Sequence, residues 1–461
     1  MTVKPLRRAA RLTAVVLALC LSACASLPDV RNLQAQSATA ATPTVEVGAG
    51  DLSARAARSM LLRRMRGTKT DPVKLAAMEE AATGSPLIGG NRTTLLFDGP
   101  QAMGAMLAAM KGAQDNINLE TYIFDQDELG QQFQKLLIEK QMAGVQVNIM
   151  YDSIGSLGTP AAFFDEMRAA GIKLIEFNPI NPLKRIGSWT LNNRDHRKIL
   201  VVDGRIGFTG GVNISENYAR SSLFRSGSRA GGEPGWRDTH IQIEGPAVAS
   251  LQLLFLDGWA SQKEGEIADR EYFPPLPDVG DKLVRVLGSL PDSQAPIYKA
   301  YVLAIQEARQ SIHLTAAYFA PDVQFLEAIT AAARRGVDVK IIFPSISDAG
   351  MVKQAGQSFY ADLLESGVRI FELKASVLHA KTGVIDHTWS TIGSANLDVR
   401  SFLHNREANL VILGSEFGAT MEGAFAEDLK NSVEMTPEVW NSRSPVQRMK
   451  EWAARNFEYW L

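Results

Sequence analysis

The stretch His196-Arg197-Lys198-Ile199-Leu200-Val201-Val202-Asp203 recurs further along the chain as His379-Ala380-Lys381-Thr382-Gly383-Val384-Ile385-Asp386. Both copies read H-x-K-x4-D. Each is followed by a glycine, a small residue, any residue and an asparagine: Gly210-Gly211-Val212-Asn213 and Gly393-Ser394-Ala395-Asn396. One such motif is a weak signal, whereas two copies with the same downstream tail are a strong one. Together they supply two histidines, two lysines and two asparagines, enough to build one symmetric phosphate site.

The flanks repeat as well. Leu119-Glu120-Thr121-Tyr122-Ile123-Phe124 matches Leu314-Thr315-Ala316-Ala317-Tyr318-Phe319, and Gly144-Val145-Gln146-Val147 matches Gly336-Val337-Asp338-Val339. Ala170-Gly171-Ile172-Lys173 matches Ser366-Gly367-Val368-Arg369. Matches that recur about 190 residues apart indicate duplication with changes in loop length. Short apolar strands alternate with helices that stop at glycine, which predicts α/β architecture. The expectation is two α/β halves with mixed, mainly parallel sheets, meeting at one shared site. The halves span 91–270 and 271–432, and a helical tail covers 433–461.

The chain has 461 residues, 46% hydrophobic and 21% charged, with a formal charge of −2. No global basic field draws it to nucleic acid, so anion binding must come from local groups. Residues 1–23 read as a leader: Arg7, Arg8 and Arg11 precede the apolar run Leu12 to Leu21, which is too short to span a bilayer comfortably. Leu21-Ser22-Ala23-Cys24 resembles a bacterial lipoprotein cleavage site, with Cys24 as the lipidated residue. Ala25 rather than Asp follows, which favours the outer membrane of a Gram-negative bacterium, facing the periplasm. Cys20 lies in the removed segment, so the mature chain has no internal disulfide. Residues 24–90 read as a tether and a basic helix, with Arg55, Arg58, Arg63, Arg64 and Arg66 beside Met60, Leu61, Leu62 and Met65. That helix either lies on anionic lipid or packs on the domain. An insertion over 178–195 mixes Lys184, Arg185 and Arg194 with Trp189, suiting either a lipid access path or a surface loop. Ser226 to Gly235 is a second insertion. At the C-terminus Val446, Met449, Ala453, Phe457 and Trp460 share a helical face, read as docking onto the domain rather than onto a membrane.

The chemistry follows from residue type. Neutral imidazole is a good nucleophile toward phosphorus near neutral pH. A second imidazole opposite it can protonate the leaving alkoxide and deprotonate the incoming alcohol or water. Lys198 and Lys381, two residues along a strand from His196 and His379, point the same way as the histidines. Asn213, Asn396 and Ser394 offer uncharged donors to phosphate oxygens. Each imidazole needs an orienting acid, and the matched stretches around Asp238 and Glu407 supply two. The expected pairs are Asp238 with His196 and Glu407 with His379. Asp203 and Asp386 complete the catalytic motif, but their place at strand ends suits a structural role. His240, His313, His387 and His404 lack matching sets, and no metal-ligand cluster stands out, so no metal or other cofactor is called for.

These motifs, with Trp236-Arg237-Asp238 and Gly393 to Phe402 followed by Asn405 and Glu407, resemble the phospholipase D superfamily over residues 92 to 430. Within it the likeness is to bacterial cardiolipin synthases. The resemblance implies a duplicated phospholipase D-like fold, a phosphohistidine intermediate and no metal, with His196 as nucleophile and His379 as acid and base. It implies transfer of a phosphatidyl group from phosphatidylglycerol or a similar phospholipid to an alcohol. The alternative is hydrolysis to phosphatidic acid; a nuclease and a catalytically dead lipid-binding module rank lower. The implied partners are phospholipids and, through the anchor, a bacterial membrane. A monomer suffices, because one chain carries both histidines. Two departures stand out: Gly211 occupies the place of the motif serine, and the lipoprotein-like leader replaces the transmembrane helices with which many cardiolipin synthases begin.

Overall fold

A computed structural model describes residues 26–37, 42–181, 192–219, 235–262, 265–291 and 294–455. The leader with Cys24, residues 182–191 with Lys184, Arg185 and Trp189, most of the Ser226 to Gly235 insertion, and Phe457 and Trp460 lie outside them.

The first half builds one sheet from β1 (Leu87–Leu96), β2 (Asn116–Thr121), β3 (Gln146–Asp152), β4 (Lys173–Phe177), β5 (Ile199–Val202), β6 (Ile206–Gly210) and β7 (His240–Glu244). Its spatial order is β1-β7-β6-β5-β2-β3-β4. The second half repeats the plan with β8 (Lys282–Ser289), β9 (Ser311–Ala316), β10 (Asp338–Pro344), β11 (Arg369–Leu373), β12 (Lys381–Ile385), β13 (Trp389–Gly393) and β14 (Asn405–Leu413). These run β8-β14-β13-β12-β9-β10-β11. The duplication expected from the sequence is therefore a duplication of topology. β1 pairs antiparallel with β8 and joins the halves. Leu95, Val201 and Ile243 of one half pack with Val284, Ile392 and Ile412 of the other in a shared core.

The sheets are mixed, but not mainly parallel as expected. Within the two seven-stranded sheets parallel pairing is confined to β2-β3-β4 and β9-β10-β11, where helices make the crossovers. The motif strands turn straight back instead. Asp203 and Gly204 both take positive φ, 52° and 62°, and Arg205 N–H bonds Val202 O at 2.9 Å. Two successive left-handed residues make the tight turn whose twist suits an antiparallel hairpin. Asp386 and His387, at 49° and 58°, repeat it, with Thr388 N–H on Ile385 O.

The region expected to be a tether is built into the second half. Val30, Leu33 and Val45 are buried in its core, and Val45–Val47 pairs with β1. The basic helix α1 (Ala54–Arg64) is followed by α2 (Pro72–Thr83), which starts on an Asp71 cap and stops at Gly84 with φ 71°. The Glu79 carboxylate of α2 is fully buried and accepts from Trp389 Nε1 at 2.6 Å. Of the two readings of the basic helix the structure shows packing on the domain: Ala57 and Leu61 of α1 and Met65 just beyond it, four residues apart, are buried in the same core. No helix among the described residues is long and apolar enough to cross a membrane.

The C-terminal expectation is also corrected. In α6 (Pro445–Arg455) Glu451 and Ala454 are buried, while Val446, Met449, Trp452 and Ala453 face outward. Polar contacts hold the helix instead, with Gln447 donating to Gln354 and Gln357 and Arg443 to Glu451.

Candidate active site

Two short crossings bring the motifs together. Arg194–Asp195 pairs parallel with Asn405–Arg406 at the head of β14, and His196 N–H continues the ladder onto Arg406 O at 3.0 Å. Trp236–Arg237 pairs with Val377–Leu378, and His379 N–H bonds Arg237 O at 2.8 Å. Each histidine thus follows directly on a strand pairing with the opposite half.

That exchange crosses the acids. His196 Nδ1 lies 3.0 and 3.1 Å from the two oxygens of Glu407, and His379 Nδ1 lies 2.7 Å from Asp238 Oδ2. The expected pairs are reversed. The acids were matched within each repeat, but the crossing strands place each beside the other half's histidine. With Nδ1 donating to a carboxylate, the neutral imidazole keeps its lone pair on Nε2. Both histidines line one cleft, open to solvent, with Asn213, Asn396, Arg194, Arg400, Tyr122 and Tyr318 around it.

Each lysine stays beside its histidine, near the same tyrosine ring, although neither is among the residues lining the cleft. Lys198 Nζ donates to His196 O at 2.6 Å and lies 5.1 Å from the Tyr122 ring centre; Lys381 Nζ contacts His379 O and lies 5.9 Å from the Tyr318 ring centre. Burial pushes Lys198 down to about 7, and Lys381 nearby adds to that, against Glu407 and Asp238. Burial lowers Lys381 too. Burial likewise depresses both imidazoles; at His196 Glu407 works against it, whereas at His379 Lys381 reinforces it and the depression is larger. The acids diverge. Burial raises Asp238 to about 6 despite Lys381 and the Thr239 N–H. Burial also works to raise Glu407, but His196, Lys198 and the Ser394 hydroxyl outweigh it and leave this carboxylate below its ordinary value.

Ser394 does not reach the cleft, contrary to expectation. It is fully buried, its hydroxyl donates to Glu407 Oε2, and Ala408 N–H donates to it at 3.0 Å. Gly211, its counterpart, leaves room for the Asp238 carboxylate: a Cβ there would sit 2.1 Å from Asp238 Oδ1. Asp238 Oδ1 takes the Thr239 N–H directly, at 2.7 Å. The departure from the motif is thus a different way of holding the acid, not a missing phosphate ligand.

Asn213 and Asn396 both line the cleft. Asn213 Oδ1 accepts from Ile123 N and its Nδ2 donates to Tyr218 Oη at 2.6 Å. Asn396 N–H donates to Ser401 Oγ, and its Oδ1 is buried without a partner among the described residues. Asp203 and Asp386 lie away from the cleft, which corrects their place in the catalytic motif. Asp203 accepts the N–H groups of Gln114, Asp115 and Asn116 at 2.8, 2.8 and 3.0 Å. Asp386 accepts those of Arg309, Gln310 and Ser311, with the Thr70 hydroxyl. Each ties the motif hairpin to the start of its neighbouring strand. His313 and His387 sit outside the cleft and share the Glu422 carboxylate.

Sequence reasoning missed the aromatic walls. Tyr122 meets His196 edge-on at 5.0 Å, and Trp236 and Tyr218 of the first half flank His379 at 5.0 and 5.7 Å. The signals were Trp236 in the stretch before Asp238 and the place of Tyr122 and Tyr318 at the ends of matched strands. Asp348, which accepts from Tyr318 Oη at 2.6 Å at the cleft rim, has no counterpart in the motifs.

The family model described as "Cardiolipin synthase, PLD-like domain" matches residues 106–223 and 301–429, which hold both histidine motifs. Cardiolipin synthase 1 of Bacillus cereus is 36% identical over 381 residues, 80% of this chain and 72% of that protein. The cardiolipin synthase of Listeria innocua is 36% identical over 376 residues, 81% and 76% of the two chains. The fold is that of the phosphatidylserine synthase of Haemophilus influenzae, with a TM-score of 0.58 at 13% identity over 80% of this chain and 95% of that one. With two matched repeats, paired histidine–carboxylate dyads and relatives of this similarity over most of its length, the chain belongs to the cardiolipin synthase, PLD-like domain family.

Proposed function

We propose that this protein transfers a phosphatidyl group from phosphatidylglycerol, or a similar phospholipid, to an alcohol acceptor such as the glycerol of a second phosphatidylglycerol. The observation that carries this reading is the pair of buried dyads, His196 with Glu407 and His379 with Asp238, facing one cleft. His196 Nε2 attacks phosphorus and the P–O bond to the headgroup breaks. His379 gives its proton to the departing alkoxide. The acceptor hydroxyl then attacks the phosphohistidine, His379 takes its proton, and the P–N bond breaks to release product and free His196. Glu407, held ionised, makes His196 the better nucleophile of the two. In the free protein burial depresses both imidazoles; a phosphodiester anion between them counters this and favours the protonated His379 that the first step needs. Lys198 and Lys381 balance the phosphate charge, and the Asn396 amide is available to its oxygens.

A lipid anchor on Cys24 would hold the enzyme at the periplasmic face of the outer membrane. Intact mass of the mature protein tests this: an acylated N-terminal Cys24 supports the anchor, and a chain starting elsewhere removes it. The activity is tested by lipid mass spectrometry of the protein with phosphatidylglycerol vesicles and excess EDTA. Cardiolipin with free glycerol supports the transferase; phosphatidic acid alone makes the protein a hydrolase.

A further inference from the structure

Exposed apolar side chains gather at one end of the molecule. Leu157, 69% exposed, follows β3, and Met351, 57% exposed, starts α4 (Gly350–Gln357), which follows β10. Both loops leave the carboxyl ends of parallel strands, the end that carries the cleft; Asp348 of the second loop lines it. α4 lies across this end: Val352 and Gly356 meet Phe319, Phe343 and Pro344, and Gln357 bonds Glu372 near the end of β11. α6 packs on α4 through Gln447 and extends the surface with Met449, 62% exposed, and Trp452, 71% exposed. Arg448 and Lys450 on α6 are exposed and basic; Arg455 turns to the body, 3.7 Å from Asp362 and over the Phe359 ring, and the one acid, Glu451, is buried against Arg443. The basic helix α1 is elsewhere. Its Arg64 carbonyl accepts from Ser415, beside the Gly414–Thr388 contact and near the Asp386 turn, at the opposite end of β12 from His379.

We infer that the cleft end, from the Leu157 loop across Met351 to the outer face of α6, is a docking surface for an anionic phospholipid bilayer. The inference rests on the proposed phosphatidyl transfer for its choice of partner. A diacyl substrate must leave a bilayer with its headgroup leading, so a cleft that takes it works best when its rim enters the interface. Exposed apolar side chains on a helix that also exposes Arg448 and Lys450 suit that position: the chains enter the acyl boundary and the cations meet anionic headgroups. The Met351 loop reaches the cleft through Asp348, which lines it, and the exposed Arg448 and Lys450 of α6 are complementary to phosphatidylglycerol.

The test uses the full chain, so that any N-terminal anchoring is the same in every sample. Wild type is compared with the triple variant Met351→Ser, Met449→Ser, Trp452→Ser in vesicles of phosphatidylglycerol with phosphatidylcholine, and in phosphatidylcholine alone. Hydrogen exchange is followed over residues 345–353 and 445–455. Turnover is measured on vesicles and on a short-chain, monomerically soluble phosphatidylglycerol. The expected result is slowed exchange in both segments with the anionic vesicles only. The variant should lose that protection, lose vesicle turnover by about tenfold, and keep soluble-substrate turnover within about twofold. Equal vesicle turnover with no protection overturns the docking surface. Protection that needs no lipid and grows with protein concentration also overturns it, identifying a second copy as the occupant. If wild type turns over neither substrate, the proposed reaction fails, while the exchange data still decide the surface.

Discussion

Glu407 of the second half holds His196 of the first, with its two oxygens 3.0 and 3.1 Å from Nδ1. Asp238 of the first half returns the arrangement by holding His379 at 2.7 Å. The halves therefore complete each other's active groups, and neither half contains a whole dyad. Arg237, next to Asp238, reinforces the exchange through a buried two-point pair with Asp428 of the second half at 2.8 and 2.9 Å.

The crossed pairing predicts a particular coupling. Glu407→Gln and His196→Ala should each lower kcat by about 10²–10⁴-fold, and the double variant should be little worse than either alone. Glu407→Gln combined with His379→Ala should lose more than either single variant. Steady-state kinetics of the three single and two double variants checks this; additivity within the Glu407–His196 pair would refute it.

Gly211→Ser, which restores the motif residue, should impair the enzyme. Its Cβ would lie 2.1 Å from Asp238 Oδ1, so the carboxylate must move off His379. The expected outcome is a fall in kcat of roughly 10²-fold or more, the scale of lost general acid–base help. Ser394→Ala removes a hydroxyl donor from Glu407 and should cost less. A Gly211→Ser enzyme of normal kcat would show that Asp238 does not position His379.

Asp386→Ala should act on stability. It leaves the N–H groups of Arg309, Gln310 and Ser311 unpaired, each worth about 1–3 kcal/mol when buried. Thermal unfolding should show a large drop in Tm, while kcat per folded molecule stays close to wild type. A selective loss of kcat with unchanged Tm would return Asp386 to the chemistry.

The pH profile of kcat/KM should be bell-shaped and narrow. Its acid limb reports Asp238, raised by burial to about 6, and its basic limb reports Lys198, lowered by burial to about 7. Lys198→Arg should move the basic limb well upward, since guanidinium stays charged. The sign for stability is opposite to that of activity. Between about pH 7 and the ordinary lysine value near 10.5 the unfolded chain binds the proton that the folded one has lost, so this group's contribution to stability rises with pH. A basic limb unmoved in Lys198→Arg would assign it to another group.

Much of the protein was legible in order of residues alone. The doubled H-x-K-x4-D, the matched Val-rich strands and the glycine stops specified two α/β halves, and strand alternation put each lysine on the side of its histidine. These are local properties, carried by spacing and side-chain period. What the tertiary structure decided is everything that depends on which strand lies next to which. The repeat matched Asp238 to Glu407 by position, and only the Arg194–Asp195 and Trp236–Arg237 crossings show that each serves the other half's histidine. Val30, Leu33 and Val45 looked like tether because their partners in the second half are remote in sequence. The helical period of Val446 and Met449 marked an apolar face of α6 without revealing that it points outward, because a pattern along one helix does not say what, if anything, packs against it.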